Sequence, residues 1–75
     1  MQFEVTTVTG IRYKFWNEGE KTFFKKQGAA FPCEVIRFRN ETICVGKSIR
    51  MDIRDGSVTR MGVTIDTVKE LHILS

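Results

Sequence analysis

A period-two alternation of apolar and polar residues is the feature that most constrains the fold of this chain. Side chains of a β-strand alternate between two faces, so this pattern predicts strands with one buried face rather than helices. Six glycines interrupt the alternation at intervals of six to eighteen residues, a spacing typical of the turns in an antiparallel meander. Because 75 residues support one small core, we expect a single domain over residues 1–75.

Three strands are predicted in the first half of the chain, separated by turns that contain glycine. They are short alternating segments at residues 3–7, 11–17 and 21–26. Phe23 and Phe24 are neighbours in the third segment, so their side chains are expected on opposite faces. Residues 27–32 contain the only proline of the chain and predict an exposed loop between two halves of the sheet.

The next two strands are predicted as longer alternating segments, at residues 33–39 and 42–54. A two-residue turn at Asn40-Glu41 would join them and would set Phe38 opposite Ile43, so that apolar residues gather on one side. The second of these strands is expected to bend at Gly46, as a small barrel requires.

Two later glycines predict a tight turn and a bulge. Asp55-Gly56 is a strong signal for a two-residue hairpin turn, which would place Val58 opposite Ile53. After Val58 the apolar residues shift from even to odd positions, and a one-residue bulge at Gly62 would account for that shift.

The C-terminal segment predicts one turn of helix capped by Asp66, followed by a last short strand at residues 69–74. The alternative is a terminal helix from Thr67. The fold class is therefore all-β: a small antiparallel barrel of five to six strands with one short 3-10 or helical turn near the C-terminus. An SH3-like or Sm-like strand order is favoured and an OB-like order is the alternative. The predicted core consists of Phe3, Val5, Ile11, Tyr13, Phe15, Ile36, Phe38, Ile43, Val45, Ile49, Met51, Ile53, Val58, Val63, Ile65, Val68 and Leu71.

The strand at residues 11–17 carries the main functional signal, because its outward face joins Arg12 and Lys14 to Trp16, the only tryptophan. Cations beside an aromatic ring can bind phosphates while the ring stacks on a base. The net charge of +3 also favours polyanions as partners. Lys25 or Lys26 is expected to extend this strip, and Arg37 and Arg39, on another outward face, complete the candidate binding set. The alternatives are a merely solvated surface and a Trp16 that covers the open end of the barrel.

The sequence indicates no enzyme, metal site or cofactor. His72 is the only histidine, and no serine or cysteine is placed to act with it as a nucleophile. Cys33 and Cys44 are expected as reduced thiols rather than metal ligands, and Arg37 is predicted opposite Cys44. Asp52 is expected to pair across the sheet with a basic residue. The N-terminus has no signal-peptide pattern and no segment is apolar enough to span a bilayer, so we expect a cytoplasmic protein without membrane contact.

Three segments resemble the cold-shock proteins in order and rough spacing. The run T-G-I-R-Y-K-F-W-N-E-G-E-K-T-F-F is similar to the family's T-G-x-V-K-W-F-N opening. The segments C-E-V-I-R-F and G-K-S-I-R-M-D-I-R-D-G resemble the strands that follow it in the family. This resemblance implies a small OB-type barrel that binds nucleic acid. The implied stacking face contains Lys14, Phe15 or Trp16, Phe23 or Phe24, and Phe38.

We therefore expect a non-enzymatic binding module that contacts nucleic acid through its basic-aromatic strand. A single-stranded nucleic acid is the possible partner. The alternative is a protein-interaction, inhibitory or regulatory module, for example from a phage or mobile element. Such a module would dock on a larger protein through a sheet edge or the loop at residues 27–32. A homo-oligomer formed through barrel edges is a third possibility, since short chains often gain stability by association.

Overall fold

The computed structural model describes residues 1–74 and folds them into one antiparallel sheet of seven strands, with no helix in that range. The strands are β1 (Gln2–Thr7), β2 (Arg12–Glu18), β3 (Lys21–Lys26), β4 (Cys33–Phe38), β5 (Ile49–Asp55), β6 (Val58–Ile65) and β7 (Val68–Ile73). Their order across the sheet is β6-β5-β4-β3-β2-β1-β7. The all-β prediction is confirmed. The predicted barrel of five to six strands is wrong, because the sheet has seven strands and is not closed.

The sheet is nevertheless strongly curled, and the connection between β6 and β7 shows why. These strands form opposite edges of the sheet, and in a flat sheet the edges would lie about 29 Å apart. Only Asp66 and Thr67 join them, and that link spans at most about 11 Å. The edges therefore approach each other at this corner. At the same corner, backbone hydrogen bonds from Gly46 N–H to the Val68 carbonyl (2.8 Å) and from Val68 N–H to the Lys47 carbonyl (2.9 Å) join the start of β7 to the residues that precede β5.

A row of stacked aromatic rings lies at the centre of the concave face. Phe15 has no exposed surface, and its ring centroid lies 4.7 Å from that of Phe3 and 5.6 Å from that of Phe24. The buried core consists of Phe3, Val5, Phe15, Phe24, Val35, Ile49, Met51, Ile53, Ile65 and Val68. Eight of the seventeen predicted core residues are buried, and five more are partly buried and pack against them. Phe24 and Val35 are core residues that the alternation did not indicate.

The predicted turn at Asn40-Glu41 and the long strand at residues 42–54 are wrong. Residues 39–48 form a connection, and β4 pairs with β5 in a register that sets Phe38 opposite Met51. The Asn40 side chain holds the two ends of this connection together. Its Nδ2 donates to the Ser48 carbonyl at 2.9 Å, and its Oδ1 accepts from Arg50 N–H at 2.7 Å. Asn40 thus closes a connection of ten residues, where the alternation alone predicted a two-residue hairpin turn.

Three residues of the predicted core, Ile36, Val45 and Val58, are exposed. A register shift between Val35 and Arg37 makes Ile36 the extra residue of a bulge in β4, so Val35 faces the core instead. Val45 lies in the connection at residues 39–48. Val58 pairs with Asp55, two positions away from the predicted partner Ile53, because the turn consists of Gly56 and Ser57 rather than Asp55 and Gly56.

The bulge at Gly62 is confirmed. Met51 pairs with Val63 and Ile53 with Arg60, so two residues of β6 stand opposite one residue of β5. Gly62 has a φ of +66°, a conformation that side chains with a Cβ rarely adopt. The bulge returns Val63 to the core-facing side of β6, as the change of parity indicated.

The helical turn predicted near the C-terminus is wrong, as is the alternative of a helix from Thr67. The Asp66 carboxylate accepts from Thr67 N–H at 2.7 Å, and the chain then enters β7 directly. The predicted last strand is confirmed, and it pairs with β1, with Leu71 opposite Val5. Within residues 1–74 no helix is long and apolar enough to cross a membrane.

The contrast between Phe15 and Val58 tests this core. Phe15→Ala should lower the free energy of unfolding by about 3–5 kcal/mol, because it leaves a cavity among stacked rings. Val58→Ala is the control, since Val58 is exposed in this fold, and it should change stability by less than about 0.5 kcal/mol. Urea denaturation measures both. A comparable loss for the two variants would contradict the β5–β6 register.

Candidate functional site

The outer face of β1, β2 and β3 brings the sequence-predicted strip together. Trp16 lies opposite Phe23, and this aromatic pair is next to a lysine pair formed by Lys14 and Lys25. Both pairs lie on the outer face, because the residues that alternate with them belong to the core-facing side of the same strands. Arg12 continues the row on β2 and lies opposite Thr6 of β1.

The aromatic pair is held in place. The ring centroids of Trp16 and Phe23 lie 6.1 Å apart with an angle of 25° between the rings, which is a stacked arrangement. Trp16 Nε1 donates to Glu18 Oε2 at 3.0 Å. Both rings are half-buried, so each keeps part of its surface open to solvent. The alternative role predicted for Trp16, covering the open end of a barrel, is wrong because Trp16 lies on the outer face.

The lysine pair has an uncompensated charge. Like charges directly opposite each other on neighbouring strands destabilise a sheet. Glu4 is the cross-strand neighbour of Lys14, yet among residues 1–74 no carboxylate oxygen lies within 4.0 Å of either ammonium group. The free protein therefore keeps two cations side by side, next to two open aromatic surfaces.

An open depression of about 600 Å³ runs along this surface. It is lined by Gln2, Glu4, Arg12, Tyr13, Lys14, Trp16, Lys25, Lys26, Gln27 and Gly28. Five of the seven candidate residues are thus brought together. Lys26 joins them from the end of β3, although its register with Tyr13 assigns it to the other face of the sheet.

Arg37 and Arg39, the other two candidates, lie elsewhere and bind Asp52. Arg37 Nε donates to Asp52 Oδ2 at 2.6 Å, and Arg39 Nε and Nη2 donate to the two carboxylate oxygens at 2.8 and 3.1 Å. Asp52 Oδ1 also accepts from Gly62 N–H at 2.8 Å. The expected pairing of Asp52 with a basic residue is confirmed. Asp52 is buried, with only 1% of its surface accessible to solvent.

These hydrogen bonds stabilise the charged form of Asp52. The Arg39 guanidinium, together with Gly62 N–H and Arg37, holds the pKa of Asp52 well below its usual range, although burial acts in the opposite direction. The same contact raises the pKa of Arg39. Asp52 thus remains ionised in the folded protein at pH values where an unfolded aspartate is protonated.

The two cysteines form no disulfide within the part of the chain that the structure describes. Cys33 and Cys44 are free thiols, and burial, with Asp55 nearby, raises the pKa of Cys33. Arg37 was expected opposite Cys44, but it pairs with Asp52 instead. Within residues 1–74, no group of three or more histidine, cysteine, aspartate or glutamate side chains could hold a metal ion.

Comparisons with models of protein families, with curated proteins and with solved structures found no match. The fold divides the residues that the cold-shock resemblance assigned to a stacking face. Phe15 and Phe24 are buried and Phe38 packs against the core, while Trp16, Phe23 and Lys14 lie on the outer face.

Phe23 is the member of this site that the candidate set lacked. The signal for it was available, since adjacent phenylalanines in a strand must face opposite ways. Combined with the turn after Asn17, that alternation would have set Phe23 opposite Trp16. The burial of Asp52 had no comparable signal.

The Asp52 contacts predict a specific response to acid. The pKa of Asp52 is lower in the folded than in the unfolded state, so its contribution to stability is complete above the unfolded pKa. That contribution decreases as the pH falls from about 4 towards the folded-state pKa. Asp52→Asn should lower the thermal midpoint by roughly 10 °C at neutral pH. The thermal midpoint of this variant should also fall less than that of wild type as the pH is lowered below about 4, because the variant has no carboxylate at position 52 to protonate.

Thermal unfolding between pH 7 and pH 2 measures the effect. Asp66→Asn is the matched control, because Asp66 is exposed and its contact with Thr67 N–H can be made by an amide oxygen. The control should follow the wild-type profile. Parallel profiles for wild type and Asp52→Asn would contradict the assignment.

Proposed function

We propose that this protein binds single-stranded nucleic acid on the outer face of β1, β2 and β3. The observation that carries the proposal is the stacked pair of Trp16 and Phe23 beside the uncompensated lysine pair. Proteins that bind single strands combine open aromatic surfaces with cations that follow the backbone. Bases stack on the aromatic pair, and the backbone phosphates contact Lys14, Lys25 and Arg12.

The aromatic pair favours a single strand over a duplex. Stacking on a side chain requires the flat face of a base, and in a duplex neighbouring base pairs cover those faces. The polar lining of the depression is mainly cationic, and cations contact phosphates without regard to the base. We therefore expect little sequence preference and a strong dependence on salt.

A binding partner also explains why two lysines lie opposite each other. Such a pair costs about 0.2–1 kcal/mol in an isolated sheet, and the attraction of both ammonium groups to a polyanion placed between them outweighs their mutual repulsion.

The proposed role is binding rather than catalysis. His72 lies on the same side of the sheet across from Glu4, and its Nε2 is 3.4 Å from Glu70 Oε2 rather than beside a nucleophile.

Titration with a fluorescently labelled oligothymidylate at low salt tests this function. Trp16→Ala removes a stacking surface worth about 1–3 kcal/mol per base and should weaken binding by roughly 10- to 100-fold. The double variant Lys14→Gln/Lys25→Gln should lower the slope of log affinity against log salt by about 1.4.

The control for the charge variant is Lys47→Gln/Arg60→Gln, which removes the same charge away from this surface. Lys47 lies in the connection between β4 and β5, and Arg60 is registered with the core residue Ile53. The control should bind within twofold of wild type. Absence of salt-dependent binding by the wild-type protein would exclude the function.

A protein-docking role is the second candidate, and one residue favours it. Phe31 is 81% exposed in the loop at residues 27–32, an unusual position for a large apolar ring. The β6 edge of the sheet also exposes Val58 and Met61 next to unpaired backbone groups. Either feature could seat a larger protein or a second copy of the chain.

Capture from a nuclease-treated host lysate distinguishes this role from the first. A protein partner should remain bound after nuclease treatment, and Phe31→Ser should reduce its recovery at least about fivefold, as expected for an aromatic anchor. Val45→Ser is the matched control, since Val45 is exposed on a different connection. Equal recovery with both variants would exclude Phe31 as an anchor, and light scattering at two concentrations would identify self-association.

A further inference from the structure

Two arginines bind one buried carboxylate on the outer face of the sheet, and a third arginine lies nearby. Arg37 and Arg39 bind Asp52 directly. Arg50 is next to the bulge that also binds Asp52, since its Nη2 lies 3.7 Å from the position that a Cβ on Gly62 would occupy. Within residues 1–74 no second carboxylate oxygen lies within 4.0 Å of these guanidinium groups. This arginine cluster (Arg37, Arg39 and Arg50, with Asp52) has a net charge of +2.

Asp52 binds one edge of the guanidinium group of Arg37 and of Arg39, and the remaining N–H donors of both groups make no contact with it. Arg37 uses only Nε, so both of its terminal nitrogens are available, and its side chain is 61% exposed. Arg39 uses Nε and Nη2, which leaves Nη1. Guanidinium groups fixed in this way lose little further freedom when they bind an anion, and their planar donors match the oxygens of a phosphate.

The arginine cluster and the lysine pair lie on opposite sides of the aromatic pair. Phe23 of β3 lies opposite Trp16 of β2 on one side and opposite Glu34 of β4 on the other. Strands β2 and β4 run in the same direction, and Arg37 follows Glu34 by three residues. Lys14 precedes Trp16. Strand spacing and rise put Arg37 roughly 10–15 Å from Trp16 along the sheet. Cations therefore lie on both sides of the stacking surface.

We propose that the arginine cluster is a second phosphate-binding site, and that it binds backbone phosphates of the same strand whose bases stack on Trp16 and Phe23. This inference rests on the proposed function and extends its surface from β1 across to β6. Asp52 is a positioning residue, because it touches the arginines and not the strand. A short oligonucleotide occupies the aromatic pair alone, and a longer one reaches the cluster as well.

The first test uses Arg50→Gln, because Arg50 makes no ion pair with Asp52 and its removal leaves the buried carboxylate with both partners. Labelled oligothymidylates of about 4 and about 12 nucleotides serve as probes. Arg50→Gln should weaken binding of the longer probe about three- to tenfold and lower its salt slope by about 0.7, without affecting the shorter probe. Arg60→Gln is the matched control and should leave both affinities within twofold.

Asp52→Asn separates positioning from charge. Net charge alone predicts that losing a carboxylate tightens binding of a polyanion. Loss of the Asp52 contacts predicts weaker binding of the longer probe and unchanged binding of the shorter one. Tighter binding by Asp52→Asn, or equal affinities of Arg50→Gln and Arg60→Gln for the longer probe, would overturn the inference.

The wild-type protein distinguishes this failure from that of the proposed function. If wild type binds, Trp16→Ala weakens binding and Arg50→Gln has no effect, only the second site is wrong. If wild type binds neither probe, both proposals fail. Should Asp52→Asn fail to fold, the comparison of Arg50→Gln with Arg60→Gln decides the question.

Discussion

The two-residue connection between β6 and β7 is the constraint on which the rest of this structure depends. It brings the two edges of a seven-stranded sheet together at one corner, so the sheet must curl. The concave side then closes over Phe15 and its neighbours, as a small chain requires if one layer is to form a core. The convex side faces outward over its whole width. Surface that a two-layer protein would bury is available here for binding.

The convex face carries residues that do not favour the stability of the free protein. Trp16 and Phe23 expose aromatic surface, and Lys14 faces Lys25 although no carboxylate oxygen of residues 1–74 lies within 4.0 Å of either ammonium group. Local departures of this kind concentrate at functional sites, since there the interaction with a partner supplies what the free protein lacks.

The alternation predicted the strands of the first half well, because each of them is separated from the next by a short turn. It failed between Phe38 and Ile49, where Ile43 and Val45 continue the parity of a strand although the chain forms a connection closed by Asn40. The burial of Asp52 could not be predicted either. It depends on contacts from Arg37, Arg39 and Gly62 N–H. Both bulges lie next to Asp52 on the neighbouring strands, and the alternation located only the one at Gly62.

The contacts of Asp52 affect both the stability of the C-terminal half of the chain and the positive charge on its outer surface. A buried carboxylate requires its arginines, because leaving it without them would strand a charge away from water. The arginines in turn are fixed on the outer face for as long as the carboxylate is ionised. Gly62 N–H in the bulge supplies a fourth hydrogen bond to Asp52, so backbone geometry, buried charge and exposed cations form one unit. Changes in that unit therefore alter folding and surface charge together, whereas Trp16, Phe23 and the lysine pair can vary with little effect on the core.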